Sequence, residues 1–411
     1  MTSRARTPRP GGPALALAGV LAVSLGACSS GSPEAASSST PPSPAPATTS
    51  PSPTPTPGCV DVMLGTLDED QRLGQLLMVG FDTNAALESL DDEVEEDHVG
   101  NVIYLGGWEG ADKVTRTSEH LQGLVSDSAT GGVGLLLAAD QEGGEVHQLR
   151  GDGFTRPPSA REQARMSSGD LAKAATGWAE ELAAAGVNVN LAPVTDTVPE
   201  ELGRGNEPIG KYRRQYGSDP ETVETASTAF IEGMLAGGVE PTVKHFPGIG
   251  RIRNNTDFSS TGITDDETTR DDPYLAPFAA GVEAGAGLVM VGSATYTEID
   301  PDVPAMFSST IVTDVLRGDL GFDGVVITDD LNAEAVASTP PAERAVKVVA
   351  AGGDIALTGD ASVAADMLAA LKEEAAADEE FAEKVDASVE RVLALKDRMG
   401  LLPCSEDRII P

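Results

Sequence analysis

Residues 321–332 read GFDGVVITDDLN, a short apolar run that ends directly at two acids. The run Gly324–Thr328 is continuously apolar, with no polar alternation, which is typical of a parallel strand that is covered on both faces. Asp329 and Asp330 follow at its carboxyl end, where a charge costs free energy unless it has a partner or a function. This stretch therefore predicts a buried parallel strand with a polar site at its end.

Seven further runs of the same kind occur along the chain. They are Leu77–Phe81, Asn101–Leu105, Gly134–Ala139, Val187–Pro193, Pro241–Phe246, Leu288–Ala294 and Asp354–Thr358. Amphipathic stretches rich in alanine and glutamate lie between them, and several end at glycine, as helices commonly do. These predicted helices are Asp170–Gly186, Pro220–Gly237, Ser308–Gly318, Pro341–Gly352 and a long one over Leu371–Met399.

This alternation of strands and helices predicts the fold class. We expect an α/β fold, a single-domain (β/α)8 TIM-like barrel over residues 59–405, with a short tail at 406–411. A doubly wound open sheet is the alternative. That fold normally has a glycine-rich phosphate loop after its first strand, and the residues GFDTN after Val79 do not form one.

Polar residues gather where the strands of this barrel are expected to end. Asp140 follows the third strand, Asp196 follows the fourth, and Lys244 and His245 lie in the fifth. In barrels of this kind the loops at the carboxyl ends of the strands carry the chemistry. Together with Asp329, these positions predict one functional site at the barrel mouth, in preference to separate structural ion pairs.

The first 58 residues have the composition of an export signal and a disordered linker. Residues 1–10 hold three arginines and no acid, and an apolar stretch follows from about Pro13 to Leu25. A basic start, a short apolar core and small residues before the cleavage site are typical of a secretory signal peptide. Residues 28–58 consist almost wholly of Ser, Pro, Thr, Ala and Gly, which predicts a disordered, semi-stiff tether.

The tetrad Leu25-Gly26-Ala27-Cys28 resembles the bacterial lipobox, in which the cysteine becomes the lipid-modified N-terminus of the mature protein. The resemblance implies a signal peptide at 1–27 and a lipid anchor on Cys28 that holds the exported protein at the outer face of the bacterial cell membrane. An ordinary signal peptide with an incidental cysteine is the alternative.

Two cysteines bracket the predicted barrel. Cys59 follows the tether at once, and Cys404 lies close to the carboxyl terminus. Paired cysteines persist as disulfides in an oxidising compartment, so we expect an exported chain to join these two. Two unrelated buried thiols are the alternative.

Charge and metal-ligand spacing exclude several classes of function. The 411 residues hold 28 Lys and Arg against 65 Asp and Glu, a net charge of −37. A surface this acidic repels phosphate backbones, so no nucleic-acid partner is expected. The histidines form no HxH or HExxH pattern and the cysteines form no CxxC pattern, so we expect neither a metal nor another cofactor.

A carboxylate-rich mouth with one lysine and one histidine suits carbohydrate chemistry, in which one carboxylate attacks the anomeric carbon and an acid protonates the leaving oxygen. Five segments carry a family resemblance, namely DQEGGEVHQLRGDGFT (140–155), NLAPVTDT (190–197), RQYGSDP (214–220), KHFPGIG (244–250) and GFDGVVITDDLN (321–332). They resemble family 3 glycoside hydrolases, in the branch of NagZ-type β-N-acetylglucosaminidases. The resemblance runs in order over residues 70–400, and KHFPG with TDDL is a specific pair.

The resemblance implies a retaining glycosidase, a β-N-acetylhexosaminidase, that removes terminal β-linked N-acetylglucosamine through a covalent glycosyl-enzyme ester on Asp329. It implies N-acetylglucosaminides and cell-wall muropeptides as substrates, and a monomer as the acting form. Two alternatives stay open. One is a sugar-binding lipoprotein with little or no turnover, and the other is a β-glucosidase or β-xylosidase of the same family.

Roles in sugar binding also follow from the resemblance. Asp140, Arg214, Lys244 and His245 match residues that hold the hydroxyls of the non-reducing N-acetylglucosamine. Some family members have a cis peptide bond between the lysine and the histidine of this motif. Asp196 is expected at the rim of the same pocket, in a supporting role.

Several neighbouring side chains have a structural alternative. Strand alternation sends Asp329 and Asp330 to opposite faces, so Asp330 is expected to support the strand from behind. Without the family resemblance, a loop salt bridge between Arg214 and Asp219 is the alternative. His147 is expected to be structural or solvated. Trp108 is expected either to pack in the core or to stack on a sugar.

The acid/base loop departs from the family pattern. Family members follow KHFPGHG with Asp-Ser-His, whose histidine protonates the leaving group, whereas residues 244–260 here read KHFPGIGRIRNNTDFSS and no histidine follows His245. Asp257 matches the aspartate of that dyad. Three interpretations stay open: Asp257 is itself the acid, with a pKa raised by burial beside Asp329; the loop has changed the substrate; or the protein binds sugar without efficient turnover.

A second departure concerns an arginine of the first family segment, whose position is occupied here by Gln148, with Arg150 nearby. We expect this change to loosen the grip on the sugar.

Overall fold

Within residues 58–404, which are the residues that this computed structural model describes, eight parallel strands pair in sequence order. They are β1 (Leu77–Asp82), β2 (Asn101–Leu105), β3 (Leu136–Ala139), β4 (Val189–Asn190), β5 (Glu240–Phe246), β6 (Leu288–Val291), β7 (Val325–Thr328) and β8 (Ala356–Thr358). Strand β8 pairs with β1, and one bridge between Ile327 and Ile355 joins the segments of β7 and β8. The sheet is therefore a nearly closed barrel.

Helices surround the barrel. The α-helices of the described residues are α1 (Cys59–Thr66), α2 (Glu69–Gly74), α3 (Asp91–Glu95), α4 (Ala111–Gly123), α5 (Ala160–Gln163), α6 (Ser168–Ala184), α7 (Pro220–Ala236), α8 (Ala276–Glu283), α9 (Pro341–Ala350), α10 (Ala364–Ala377) and α11 (Glu379–Arg398). A π-helix, Thr310–Asp319, connects β6 to β7. Helices α6 and α7 are capped by the preceding residues Ser167 and Asp219, whose side chains accept hydrogen bonds from first-turn amides that otherwise lack a partner.

Short elements shape the loops between these helices and strands. The additional strands are Trp108–Glu109, Gln141–Gly143, Val146–His147, Leu149–Arg150, Thr264–Asp265, Thr295–Tyr296 and Asp300–Pro304. The 3-10 turns are Gly203–Gly205, Gly210–Tyr212, Pro273–Leu275, Ala305–Phe307, Glu334–Val336 and Ala361–Val363.

All eight strands lie where the sequence predicted them, and the prediction of an α/β fold with a TIM-like barrel is confirmed. The doubly wound alternative is wrong, because β8 pairs with β1 around the ring. The fourth strand is shorter than the predicted Val187–Pro193. Directly before β4, the Asn188 side chain accepts a hydrogen bond from Leu137 N and donates one to Leu135 O, and Asn188 N donates to Leu137 O.

The long helix predicted over Leu371–Met399 is wrong. The structure has two helices there, α10 and α11, which meet at Asp378. Asp378 has φ −131°, outside the helical region, and its carboxylate accepts hydrogen bonds from Glu380 N and Phe381 N. An acid that caps the next helix thus ends the previous one.

The two ends of the described chain meet at the amino ends of the strands. Cys59 and Cys404 form a disulfide with a Cα–Cα distance of 5.6 Å. Beside it, Gly134 N donates to Leu401 O, two residues before β3 begins. The predicted signal peptide, Cys28, all of the tether except Gly58, and the tail lie outside the described residues. Within residues 58–404, no helix combines the length and apolarity needed to cross a bilayer.

Removing the disulfide by Cys59→Ser with Cys404→Ser is expected to destabilise the protein. The bond closes a loop with a sequence separation of 345 residues, so its loss frees the unfolded chain and costs roughly 2–5 kcal/mol. Thermal denaturation with and without reductant measures this effect. Reductant should lower the melting temperature of the parent and leave that of the double variant unchanged. An equal melting temperature for the two proteins without reductant contradicts the prediction.

Candidate active site

The carboxyl ends of the barrel strands surround a cavity of about 250 Å³. Its lining includes polar side chains from the loops after β3, β4, β5 and β7 and from β5 itself. These are Asp140, Arg214, Lys244, His245, Asn255, Thr256, Asp257, Asp329 and Asp330. Six of the seven residues predicted for substrate binding and catalysis therefore come together around one cavity, although they lie far apart in the chain. The seventh, Asp196, does not line it.

Glu142, which sequence reasoning missed, is the centre of an ionic cluster beside the cavity. Arg214 donates to its two carboxylate oxygens from Nε at 2.9 Å and from Nη2 at 2.7 Å, and Lys244 Nζ lies 2.7 Å from Oε1. Lys244 also donates to Asp140. Burial alone would raise the pKa of Glu142, but the charges of Arg214 and Lys244 outweigh it and lower this pKa to about 2. The carboxylate therefore stays ionised and holds both cations in place.

The same cluster keeps its cations charged. Burial would lower the pKa of Lys244, but the carboxylates of Asp140 and Glu142 more than offset it and raise that pKa. The pKa of Arg214 is raised in the same way, because Glu142 outweighs the effect of burial. These two cations and Asp140 form a rigid set of donors and acceptors, which suits the vicinal hydroxyls of a sugar.

Asp196 lies beneath the cavity and not at its rim, which corrects the prediction. Its side chain is fully buried. Its oxygens accept three hydrogen bonds inside the barrel. They come from His245 Nδ1 at 2.8 Å, His245 N at 3.2 Å and Ile249 N at 2.7 Å. Asp196 thus positions the His245 ring, whose Nε2 lies 3.4 Å from Arg214 Nη2.

Lys244 and His245 are adjacent in β5, yet both side chains line the cavity. The peptide bond between them is cis, as in some members of the family that the sequence resembles. Both side chains are buried, with 1% and 3% of their surface exposed.

Asp329 and Asp330 both line the cavity, so the expectation that Asp330 lies behind the strand is wrong. Strand β7 ends at Thr328, and strict alternation does not extend to the residues after it. Asp330 accepts hydrogen bonds from Asn332 N and Gly359 N, so it still supports the loop. Burial raises its pKa, against the lowering effect of those two bonds. Asp329 accepts a single backbone hydrogen bond, from Asp330 N at 2.9 Å.

Asp257 lies on the loop after β5 and lines the cavity together with Asp329. Burial is the main cause of a raised pKa for Asp257, and the nearby negative charge of Asp329 raises it further. Arg214 and His245 act in the opposite direction and do not cancel this rise. A carboxyl group with a raised pKa beside an ionised carboxylate has the properties of a general acid.

The structure also decides between the alternatives for the neighbouring residues. Arg214 pairs with Glu142, and Asp219 instead caps α7, so the loop salt bridge between Arg214 and Asp219 is wrong. Trp108 is 2% exposed and packs edge-on against Phe81 and Tyr104, which confirms its packing in the core.

Three more side chains lie outside the cavity lining. His147 is absent from it, and its Nδ1 is buried without a partner. Gln148 accepts from Gly107 N, and Arg150 is exposed near Gly107 O. Across residues 58–404, no group of three or more His, Cys, Asp and Glu side chains is arranged to hold a metal ion.

Replacing Glu142 by glutamine is expected to weaken both the fold and sugar binding. Removing one partner from a buried charge cluster costs about 3–5 kcal/mol, because the remaining charges are left uncompensated. The free energy of unfolding should fall by this order, and KM should rise about tenfold or more as Arg214 and Lys244 lose their positions. Chemical denaturation and steady-state kinetics measure the two effects, and exposed Glu145→Gln is the matched control.

This contribution should depend on pH in one direction. The pKa of Glu142 is lower in the folded protein than in the unfolded chain, so its stabilisation is complete above about pH 4.5. It should be lost as the pH falls from there toward 2. A Glu142→Gln variant whose stability falls as steeply as that of the parent over this range contradicts the assignment.

The fold is a nearly closed parallel barrel. Its mouth holds carboxylates in different environments, beside a cluster that fits sugar hydroxyls. This combination defines the class of a TIM-barrel glycosidase. The sequence model described as "Glycosyl hydrolase family 3 N terminal domain" matches residues 66–395. The chain therefore belongs to glycoside hydrolase family 3. The resemblance to NagZ-type members of this family is confirmed by the matches that follow.

Curated relatives include a "Beta-hexosaminidase" of Xylella fastidiosa (strain 9a5c), 35% identical over 245 residues, which is 58% of this chain and 70% of the relative. A "Beta-hexosaminidase" of Stenotrophomonas maltophilia (strain R551-3) is 37% identical over 209 residues, 49% of this chain and 59% of the relative. The aligned part of this chain thus spans about 60–70% of the length of these curated relatives.

Among solved structures, the β-N-acetylhexosaminidase from Beutenbergia cavernae DSM 12333 is 50% identical, with a TM-score of 0.78, and the match covers 80% of this chain and 98% of that one. A family 3 β-N-acetylglucosaminidase from Paenibacillus sp. str. FPU-7 is 32% identical, with a TM-score of 0.70, over 84% of this chain and 66% of that one.

Proposed function

We propose that this chain is a retaining β-N-acetylhexosaminidase that removes terminal β-linked N-acetylglucosamine, with Asp329 as nucleophile and Asp257 as general acid/base. One observation carries the proposal. Asp257 and Asp329 line the same cavity as the cluster of Asp140, Arg214 and Lys244. The names of the related proteins support the substrate class.

In the first step, the carboxylate of Asp329 attacks the anomeric carbon and forms an ester bond. The bond between that carbon and the glycosidic oxygen breaks, and the protonated carboxyl of Asp257 gives its proton to this oxygen. The raised pKa of Asp257 supports this role, because it keeps a larger fraction of the carboxyl protonated. The alcohol of the leaving sugar then departs.

In the second step, the ionised Asp257 takes a proton from a water molecule, and the resulting oxygen attacks the anomeric carbon. The ester bond to Asp329 breaks, and both carboxyl groups return to their starting states. Because the carbon is displaced twice, the sugar leaves with its original β configuration.

Peptidoglycan fragments are the substrates that we propose within this class. The export signal and the tether in the sequence support an encounter with cell-wall material outside the cell. We further propose that the enzyme acts as a monomer, with residues 59–405 as a single domain, and that a lipid on Cys28 holds it at the outer face of the membrane. A Cys28→Ala variant should lose incorporation of a labelled fatty acid and move from the membrane fraction to the medium. Unchanged labelling and fractionation would refute the anchor.

Two substrates test the activity against sugar binding without turnover, an alternative that the missing loop histidine favours. The enzyme should cleave a 4-nitrophenyl N-acetylglucosaminide rapidly, because nitrophenolate departs without protonation, and a GlcNAc–MurNAc disaccharide more slowly. A binding protein would bind the disaccharide in calorimetry and cleave neither compound. A 4-nitrophenyl glucoside is the control, and faster cleavage of it than of the N-acetylglucosaminide would support a β-glucosidase instead.

A further inference from the structure

Phe258 is the most exposed large apolar side chain of the described residues. Its exposed fraction is 80%, whereas those of the next three, Val62, Leu87 and Leu235, lie between 38% and 42%. Of these four, Phe258 alone is aromatic. Covering an exposed aromatic ring with an apolar surface is favourable, so the ring offers a contact to a ligand that reaches it. Phe258 also directly follows Asp257, the residue that we assign as the acid.

The loop around Phe258 is held by hydrogen bonds on both sides. Glu334 N donates to Asp257 O at 3.2 Å, and Ala335 N donates to Thr256 O at 3.1 Å, which ties the loop to the segment after β7. Phe258 N donates to Asn255 O at 3.2 Å and closes a turn. The exposed position of the ring is therefore set by a fixed turn, and not by a free chain end.

A second tie closes the base of the same loop. Arg253 N and Asn254 N both donate to Gly262 O, and the Asn254 side chain donates to Thr261 O. Phe258 thus belongs to the same small unit that presents Asp257 to the cavity, and its ring lies exposed outside the cavity lining.

Phe258 and Asp257 are adjacent in the chain, which limits the separation between the ring and the acid. Neighbouring Cα atoms are about 3.8 Å apart, so the ring of Phe258 lies within roughly 10 Å of the Asp257 carboxyl group. The acid must approach the glycosidic oxygen to within hydrogen-bond distance, and the ring of the leaving sugar begins at that oxygen. A single exposed ring is too small to form a stable protein interface, which buries hundreds of Å² on each partner.

We propose that Phe258 binds the leaving group of the substrate by stacking on the apolar C–H face of its first pyranose ring. This inference rests on the proposed function. It makes Phe258 the residue through which the enzyme prefers a sugar over a small leaving group. Stacking an apolar face on an aromatic ring removes both surfaces from water. The contact involves no charged group, so it does not depend on the strongly negative charge of the protein.

The test compares two substrates that share the same N-acetylglucosamine and differ only in the leaving group. One is N-acetylglucosaminyl fluoride, whose leaving group is a single ion, and the other is N,N′-diacetylchitobiose, whose leaving group is a sugar. Phe258→Ala should lower kcat/KM for chitobiose about fivefold to tenfold, mainly through KM, and leave the value for the fluoride unchanged. Phe258→Tyr should keep the chitobiose value of the parent, since it keeps the ring. Leu235→Ala, which removes an exposed apolar side chain from α7, is the matched control.

The outcomes separate this inference from the proposed function. If the parent enzyme hydrolyses both substrates and Phe258→Ala is slowed equally on both, or on neither, the stacking role alone is overturned. An equal loss on both would instead mean that Phe258 only shapes the loop of Asp257. A parent that hydrolyses neither substrate overturns the proposed function and the stacking role together.

Discussion

Asp329→Asn should lower the hydrolysis of a 4-nitrophenyl N-acetylglucosaminide by about 10⁴-fold or more, the largest effect that we expect from a single substitution. The amide has the size of the carboxylate, so the cavity keeps its shape, but it cannot form the ester with the anomeric carbon. Asp329 accepts one backbone hydrogen bond, from Asp330 N, which an amide oxygen also accepts. The variant should therefore fold normally and still bind sugar.

Asp330→Asn is the control for this substitution, because Asp330 is the adjacent acid and lines the same cavity. Its carboxylate accepts backbone hydrogen bonds from Asn332 and Gly359, so the change should cost far less activity than the change at Asp329. Initial rates measure activity, and calorimetry with N-acetylglucosamine measures binding. If Asp329→Asn retains a tenth or more of the parent's rate, Asp329 is not the nucleophile.

Asp257→Ala should have an effect that depends on the leaving group. With a poor leaving group such as the sugar of chitobiose, loss of the general acid should lower kcat/KM by roughly 10²–10⁴-fold. With nitrophenolate, formation of the glycosyl-enzyme should change little, and its hydrolysis should become slow because the base is also lost. Azide attacks without a base, so it should restore turnover of the nitrophenyl substrate and yield a glycosyl azide.

The pH profile gives a second readout for Asp257. Because the acid must be protonated, kcat/KM should fall as the pH rises through the raised pKa of this group. Asp257→Ala should remove this alkaline limb. A variant that matches the parent on chitobiose, or that keeps the alkaline limb, would show that another group is the acid.

The sequence predicted the strands well because each is covered on both faces and is therefore apolar without interruption. The break at Asp378 was missed, since one aspartate inside a helical pattern is locally compatible with either a continuous helix or a new cap. Only the packing of α10 and α11 as separate helices decides between the two.

The sequence predicted which residues form the site better than it predicted where each of them lies. Glu142 was missed, although it lies two residues after Asp140, and in an extended segment such residues share a face. Asp196 was placed at the rim because the depth of the loop after β4 depends on contacts with Ile249 and His245, which are distant in sequence. Asp330 was predicted to lie behind β7 because the sequence pattern of a strand does not show at which residue the strand ends.

The junction of the chain ends has a mechanical consequence. Gly58 precedes Cys59, and the disulfide to Cys404 fastens this entry point at the pole of the barrel where the strands begin. A pulling force applied to the chain before Gly58 would therefore enter the domain through α1 and, across the disulfide, through the segment after α11. The turn of Asp257 and Phe258, which is fastened to residues 334 and 335, lies at the opposite pole, away from this point of entry.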